Sequence, residues 1–98
     1  MVEIRQTAEF SAWMAGLRDR RAKGKIVARI DRLSLGNPGD VASVGEGVSE
    51  LRIHYGPGYR VYFVQRGNIL IVLLCGGDES TQEQDIKKAK SLAASLED

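Results

Sequence analysis

The sequence has a single cysteine and a single histidine among its 98 residues. No disulfide can form within the chain, and a zinc site built from Cys and His is excluded by count. A lone thiol fits a reducing compartment. Long apolar runs are also missing. The longest, residues 69–75, is too short to span a membrane. The N-terminus places Glu3 and Arg5 almost at once and has no signal-peptide core, so a cytoplasmic protein is expected. There is no length for a second domain. Residues 1–98 are expected to form one domain with a modest core and no large cofactor pocket.

The net charge is only +1, but its distribution is uneven. Residues 1–66 hold 11 Lys/Arg against 7 Asp/Glu, whereas residues 67–98 hold 3 against 6. That asymmetry allows a basic face for an anionic partner.

Several segments carry a clear period. Residues 2–7 alternate apolar and charged residues, as a short strand does. Thr7 is placed to cap a helix whose Phe10, Trp13, Met14 and Leu17 form one apolar stripe. The charged run 18–25 precedes a second stripe, Ile26, Ile30 and Leu33 with Val27 beside it, and Gly24 marks the expected join. "GNPGD" (36–40) ends this helix. Residues 41–50 read as loop. The apolar run 69–75 has no alternation, which predicts a central strand covered on both faces. Ser80 and Glu83 have capping-box spacing, and Ile86, Ala89, Ala93 and Leu96 give the stripe of a last helix. The expected class is α+β in the order β-α-α-β-β-β-α. It is a small, mostly antiparallel sheet with an N-terminal helical hairpin and a C-terminal helix.

"ELRIHYGPGYRVYFV" (50–64) reads as a hairpin. With Gly56-Pro57-Gly58 as the loop, His54 opposes Arg60, Ile53 opposes Val61, Arg52 opposes Tyr62 and Leu51 opposes Phe63. Cross-strand partners share a face. One face is then Leu51, Ile53, Val61 and Phe63, a core face. The other is Arg52, His54, Arg60 and Tyr62. A two-residue turn at Gly67-Asn68 continues this second face onto Ile71, Leu73 and Cys75. Clustered like charges cost stability, and an anion offsets that cost. Arginine forks match phosphate oxygens, and Tyr62 can stack on a base or donate to phosphate. The bland alternative is the solvated side of an amphipathic hairpin. A Cys75–His54 nucleophile pair is disfavoured by the register. "GPGYR" lacks the ending of a phosphate loop, and the acids of "GGDES" oppose an anion at the last helix.

"LGNPGDVASVGEGVSELRIHYGPGYRVYFVQRGN" followed by "LIVLLCGGDESTQEQDIKKAK" resembles the RelE/ParE superfamily of toxins from prokaryotic toxin–antitoxin modules. More narrowly it is similar to the phage-derived, HigB-like addiction module killer branch. The resemblance runs from about Phe10 to the last helix and implies a RelE-like fold. It implies a ribosome-dependent endoribonuclease that cleaves mRNA by aligning a 2′-hydroxyl with the adjacent phosphate, without metal or other cofactor. Arg60 matches the family arginine at the scissile phosphate, and Arg52 and His54 match two basic positions of the preceding strand. These three are the catalytic candidates; Arg52, Arg60, Tyr62, Lys87 and Lys88 are the RNA-binding ones. Implied partners are a helix-turn-helix antitoxin, the ribosome and mRNA, promoter DNA through the antitoxin complex, and no membrane. Nuclease members often carry a basic residue after the last strand's glycine and a later Tyr or His. Here that region reads Asp78-Glu79, and no Tyr or His follows Tyr62. A ParE-type inhibitor of DNA gyrase and a degenerate toxin that only binds antitoxin remain the alternatives.

Overall fold

The computed structural model describes residues 2–96. The elements are β1 (Glu3–Gln6), α1 (Ala8–Gly16), α2 (Arg20–Ser34), β2 (Val41–Gly45), β3 (Val48–Ile53), β4 (Tyr59–Arg66), β5 (Leu70–Gly77) and α3 (Gln82–Ala94), with a 3-10 turn at Glu79–Thr81. The strands form one five-stranded sheet in the order β1-β5-β4-β3-β2. Only the β1–β5 pair is parallel. The fold is α+β with a mostly antiparallel sheet, and β5 lies inside it as its unbroken apolar run predicts.

β2 falls within residues 41–50, where the sequence predicts loop. Gly45, Glu46 and Gly47 all take positive φ, at 98°, 55° and 79°. The two central residues Glu46 and Gly47 thus form a tight turn whose twist suits antiparallel strands. What looked like a glycine-rich loop is a hairpin between β2 and β3.

Caps set the helix boundaries. The Thr7 hydroxyl accepts from the Phe10 N–H at 3.0 Å and donates to the Leu74 carbonyl. Asp19 accepts from the Arg21 and Ala22 N–H groups and starts α2. The join between the helices is therefore at residues 17–19, and Gly24 lies inside α2. The capping box expected of Ser80 and Glu83 does not form. Asp78 takes the capping role and accepts from both the N–H and the hydroxyl of Ser80.

Helices cover both sides of the sheet. α1 and α2 bury Phe10, Ala22, Ile26, Ile30 and Leu33 against Leu51, Ile53, Val61, Phe63, Ile71 and Leu73. α3 covers the opposite face, over Val48, Tyr62, Val64, Val72, Leu74 and Cys75. The β4–β5 register explains this division. Arg66 pairs with Leu70, not Ile69, and Val64 with Val72. The three-residue turn leaves Ile69 exposed and moves Ile71 and Leu73 to the first core. An irregularity after Phe63 then sets Cys75 opposite Tyr62, not Arg60.

The end of β5 is pinched between two helices. A Cβ on Gly76 would lie 2.4 Å from the Trp13 ring, and one on Gly77 would lie 1.8 Å from Asp85 Oδ2. Trp13 in turn packs edge-on against Tyr59, with ring centroids 6.3 Å apart. Gly76→Ala is expected to destabilise the fold by about 1–3 kcal/mol through overpacking. Gly24→Ala, facing open space inside a helix, is expected to stabilise it by about 1 kcal/mol. Urea unfolding of the two variants against the parent checks both signs.

Candidate functional site

The β3–β4 hairpin has a longer loop than the sequence arithmetic assumed. Gly58 N–H bonds the Tyr55 carbonyl at 3.1 Å, so His54 and Tyr55 leave the strands. Pairing shifts by two residues: Arg52 opposes Arg60, Leu51 opposes Val61 and Ile53 opposes Tyr59. A shift of two preserves which side chains share a face. The core face is confirmed, and Arg52, Arg60 and Tyr62 do share the other. His54 does not oppose Arg60.

That second face is not an open cationic surface. α3 covers part of it, and Tyr62 is 0% exposed. Its position contradicts the expected role of stacking on a base. At the centre sits Glu50, also 0% exposed and missed as a functional candidate. One carboxylate oxygen accepts from Arg52 Nε at 2.8 Å. The other accepts from the Tyr62 hydroxyl at 3.0 Å and from Gln82 Nε2 of α3 at 2.8 Å. Arg60 Nε lies 3.7 Å from that second oxygen, an ion pair without a hydrogen bond. This Arg60 nitrogen is buried and has no hydrogen-bond partner, although its Nη1 donates to the Gly58 carbonyl. The Arg60 side chain is only 13% exposed.

The anion that offsets the two arginines is therefore the chain's own. Burial pushes the Glu50 carboxyl up, but hydrogen bonds from Arg52, Gln82 and Tyr62 outweigh it and hold the group below its ordinary range. Burial and the adjacent Glu50 carboxylate push the Tyr62 phenol far up. Cys75, likewise under α3, is pushed up to about 11, mainly by burial. Its Sγ–H donates to the Asp85 carbonyl, which leaves an unreactive thiol.

The exposed part of the cluster lies at the hairpin's loop end. Asp40 stands between two candidates. Its Oδ2 is 2.6 Å from His54 Nε2 and its Oδ1 is 3.8 Å from Arg52 Nη1. The His54 contact, first, and the Arg52 charge hold the Asp40 carboxyl below its ordinary value. An ionised Asp40 can only accept, so His54 Nε2 carries a proton in this contact, and in the neutral ring Nδ1 is then the acceptor. His54 is 72% exposed. Lys87 and Lys88 are exposed on α3 and make no ion pair with the cluster among the described residues. No group of three or more His, Cys, Asp or Glu is placed to hold a metal among those residues. No helix there is long and apolar enough to cross a membrane.

The chain is 53% identical over 95 residues to an uncharacterized protein of Haemophilus influenzae, covering 97% of this chain and 96% of that protein. It belongs to the family of that protein. No family model matches the chain. The solution structure of the conserved hypothetical protein HP0894 from Helicobacter pylori is 18% identical, with a TM-score of 0.48, covering 82% of this chain and 97% of that one.

Truncating Glu50→Ala leaves Arg52, Arg60, Tyr62 and Gln82 without their shared acceptor. The expected cost is about 3–5 kcal/mol, as for other broken buried ion pairs, against about 1 kcal/mol for Tyr62→Phe. Because Glu50 is held below its ordinary 4.5, its contribution is complete above that pH. It is lost as pH falls through the folded-state value. Urea midpoints of the parent should fall on acidification below pH 4.5 more steeply than those of Glu50→Ala. Parallel curves would remove Glu50 from the acid limb.

Proposed function

We propose that the chain is the toxin of a type II toxin–antitoxin module, a RelE-like, HigB-related endoribonuclease acting on ribosome-bound mRNA in the cytoplasm. The observation that carries this reading is His54, exposed and fixed by Asp40, next to Arg52. A histidine whose Nε2–H is held by a carboxylate presents a defined Nδ1 to a substrate proton. In this role Nδ1 takes the proton of the attacking 2′-hydroxyl, the 2′-oxygen–phosphorus bond forms the cyclic phosphate, and the 5′-oxygen leaves with a proton from water. Arg52 stabilises the charge that develops on the phosphoryl oxygens. Arg60 supports the site from below. Its guanidinium sits between Glu50 and the Gly58 carbonyl and adds positive charge close to the loop. A helix-turn-helix antitoxin is the partner that silences the activity.

A second reading has a specific observation in its favour. The arginine pair is already neutralised by Glu50, and the acids Asp78 and Glu79 lie near the same loop: Glu79 N–H bonds the Pro57 carbonyl, at 3.4 Å. Such a site suits a protein that blocks its target by binding, as a ParE-type inhibitor of DNA gyrase does. Induced expression separates the two. Growth arrest with new mRNA 5′ ends, both abolished by His54→Ala, is the expected result. Intact mRNA with a supercoiling defect supports the gyrase reading. Unchanged mRNA cleavage in His54→Ala overturns the assignment of the base.

A further inference from the structure

α2 carries Arg20, Arg21, Lys23, Lys25, Arg29 and Arg32 against one acid, Asp31. Lys25, Arg29 and Arg32 recur at helical spacing on one side, and Ala28 lies between them. A groove of about 310 Å³ opens there, lined by Lys25, Ala28, Arg29 and Arg32 of α2 and by Ile53 and His54. Its walls are fixed. Arg29 donates from Nη1 to the Arg52 carbonyl at 2.6 Å and from Nη2 to the Pro38 carbonyl at 2.9 Å. Lys25 Nζ lies 5.2 Å from the Tyr55 ring centroid. Tyr55 is anchored in turn by its hydroxyl, which donates to Asp19 at 3.1 Å.

We infer that this groove is a track for the phosphate backbone of single-stranded RNA, leading to His54. The inference rests on the nuclease reading for its destination and deepens it by naming where the strand lies. The small Ala28 makes the hollow. Lys25 and Arg32 stand at its two ends, about 10 Å apart along the helix, and neither is held by an acid among the described residues. Asp31 lies on the same helix and forms no ion pair among the described residues. An acidic peptide is the weaker fit. Ile53, the one large apolar side chain of the groove, is buried beneath it at 3% exposure, so a peptide side chain gains little apolar burial. Phosphates need only the cations.

The test is fluorescence anisotropy of the full-length chain with a labelled single-stranded RNA oligonucleotide across a salt series. Lys25→Glu/Arg32→Glu is expected to weaken binding at least tenfold at low salt. It should also reduce the log–log salt slope by about 1.4, for two lost phosphate contacts on a single strand. Ala28→Glu, which fills the hollow with a carboxylate, should weaken binding by a similar factor. Arg5→Glu, on the sheet edge, is the charge-reversal control away from the groove and is compared with Lys25→Glu alone. Parent-like binding in the double variant, or an equal loss in Arg5→Glu, overturns the track. So does poly-glutamate binding as tight as RNA with the same loss, which assigns the groove to an acidic polypeptide. Loss of RNA affinity is read without cleavage. A parent-like cleavage pattern in His54→Ala therefore overturns the nuclease base while leaving the track standing.

Discussion

A carboxylate with no exposure ties the β3–β4 hairpin to the last helix. Glu50 on β3 is reached from β3 itself by Arg52, from β4 by Tyr62 and Arg60, and from α3 by Gln82. Each of these groups would be costly to bury without an acceptor, and Glu50 would be costly to bury without them. The network therefore depends on Glu50 more than on any one of its donors. It also explains how Arg52 and Arg60 can face each other across neighbouring strands, an arrangement that like charges ordinarily oppose. α3 closes over the same face, so the position of the last helix is tied to the charge balance of the hairpin.

Glu50 was within reach of the sequence. Side chains two apart on a strand share a face, so the arithmetic that put Arg52 on the polar side puts Glu50 there as well. The register had the right parity and the wrong offset. Parity follows from which residues are apolar, and that is written plainly in Leu51, Ile53, Val61 and Phe63. Offset depends on how many residues the loop uses, and the Tyr55–Gly58 turn adds two that the Gly-Pro-Gly pattern does not announce. The β4–β5 turn failed in the other way. A three-residue turn in place of two reverses parity, and a continuous apolar strand gives no alternation to correct it.

The remaining gap is between layers. Nothing in residues 41–45 separates a short strand of small residues from a loop until the positive φ of Glu46 and Gly47 is known. The amphipathic stripe of α3 says that the helix has a buried face, but not which side of the sheet receives it. Gly76 and Gly77 stand out in the sequence as a pair. Their reason lies in three dimensions, where Trp13 and Asp85 press on successive residues of one strand from opposite sides. Local pattern records the elements, while approach distances between elements have no local signature.

The candidate site divides along the same line. Arg60, Tyr62 and Glu50 belong to the interior, and their chemistry is largely spent on each other. Arg52, Asp40 and His54 reach the surface, where Asp40 fixes the histidine and touches the arginine. Loss of function on changing Arg60 therefore cannot distinguish a missing phosphate ligand from a disturbed Glu50 network. His54 has no such ambiguity. It is exposed, lies outside the strands and bonds a single carboxylate, so its removal leaves the hydrogen bonds of the Glu50 network in place. The functional reading depends on that exposed histidine more than on the arginine that the motif makes most conspicuous.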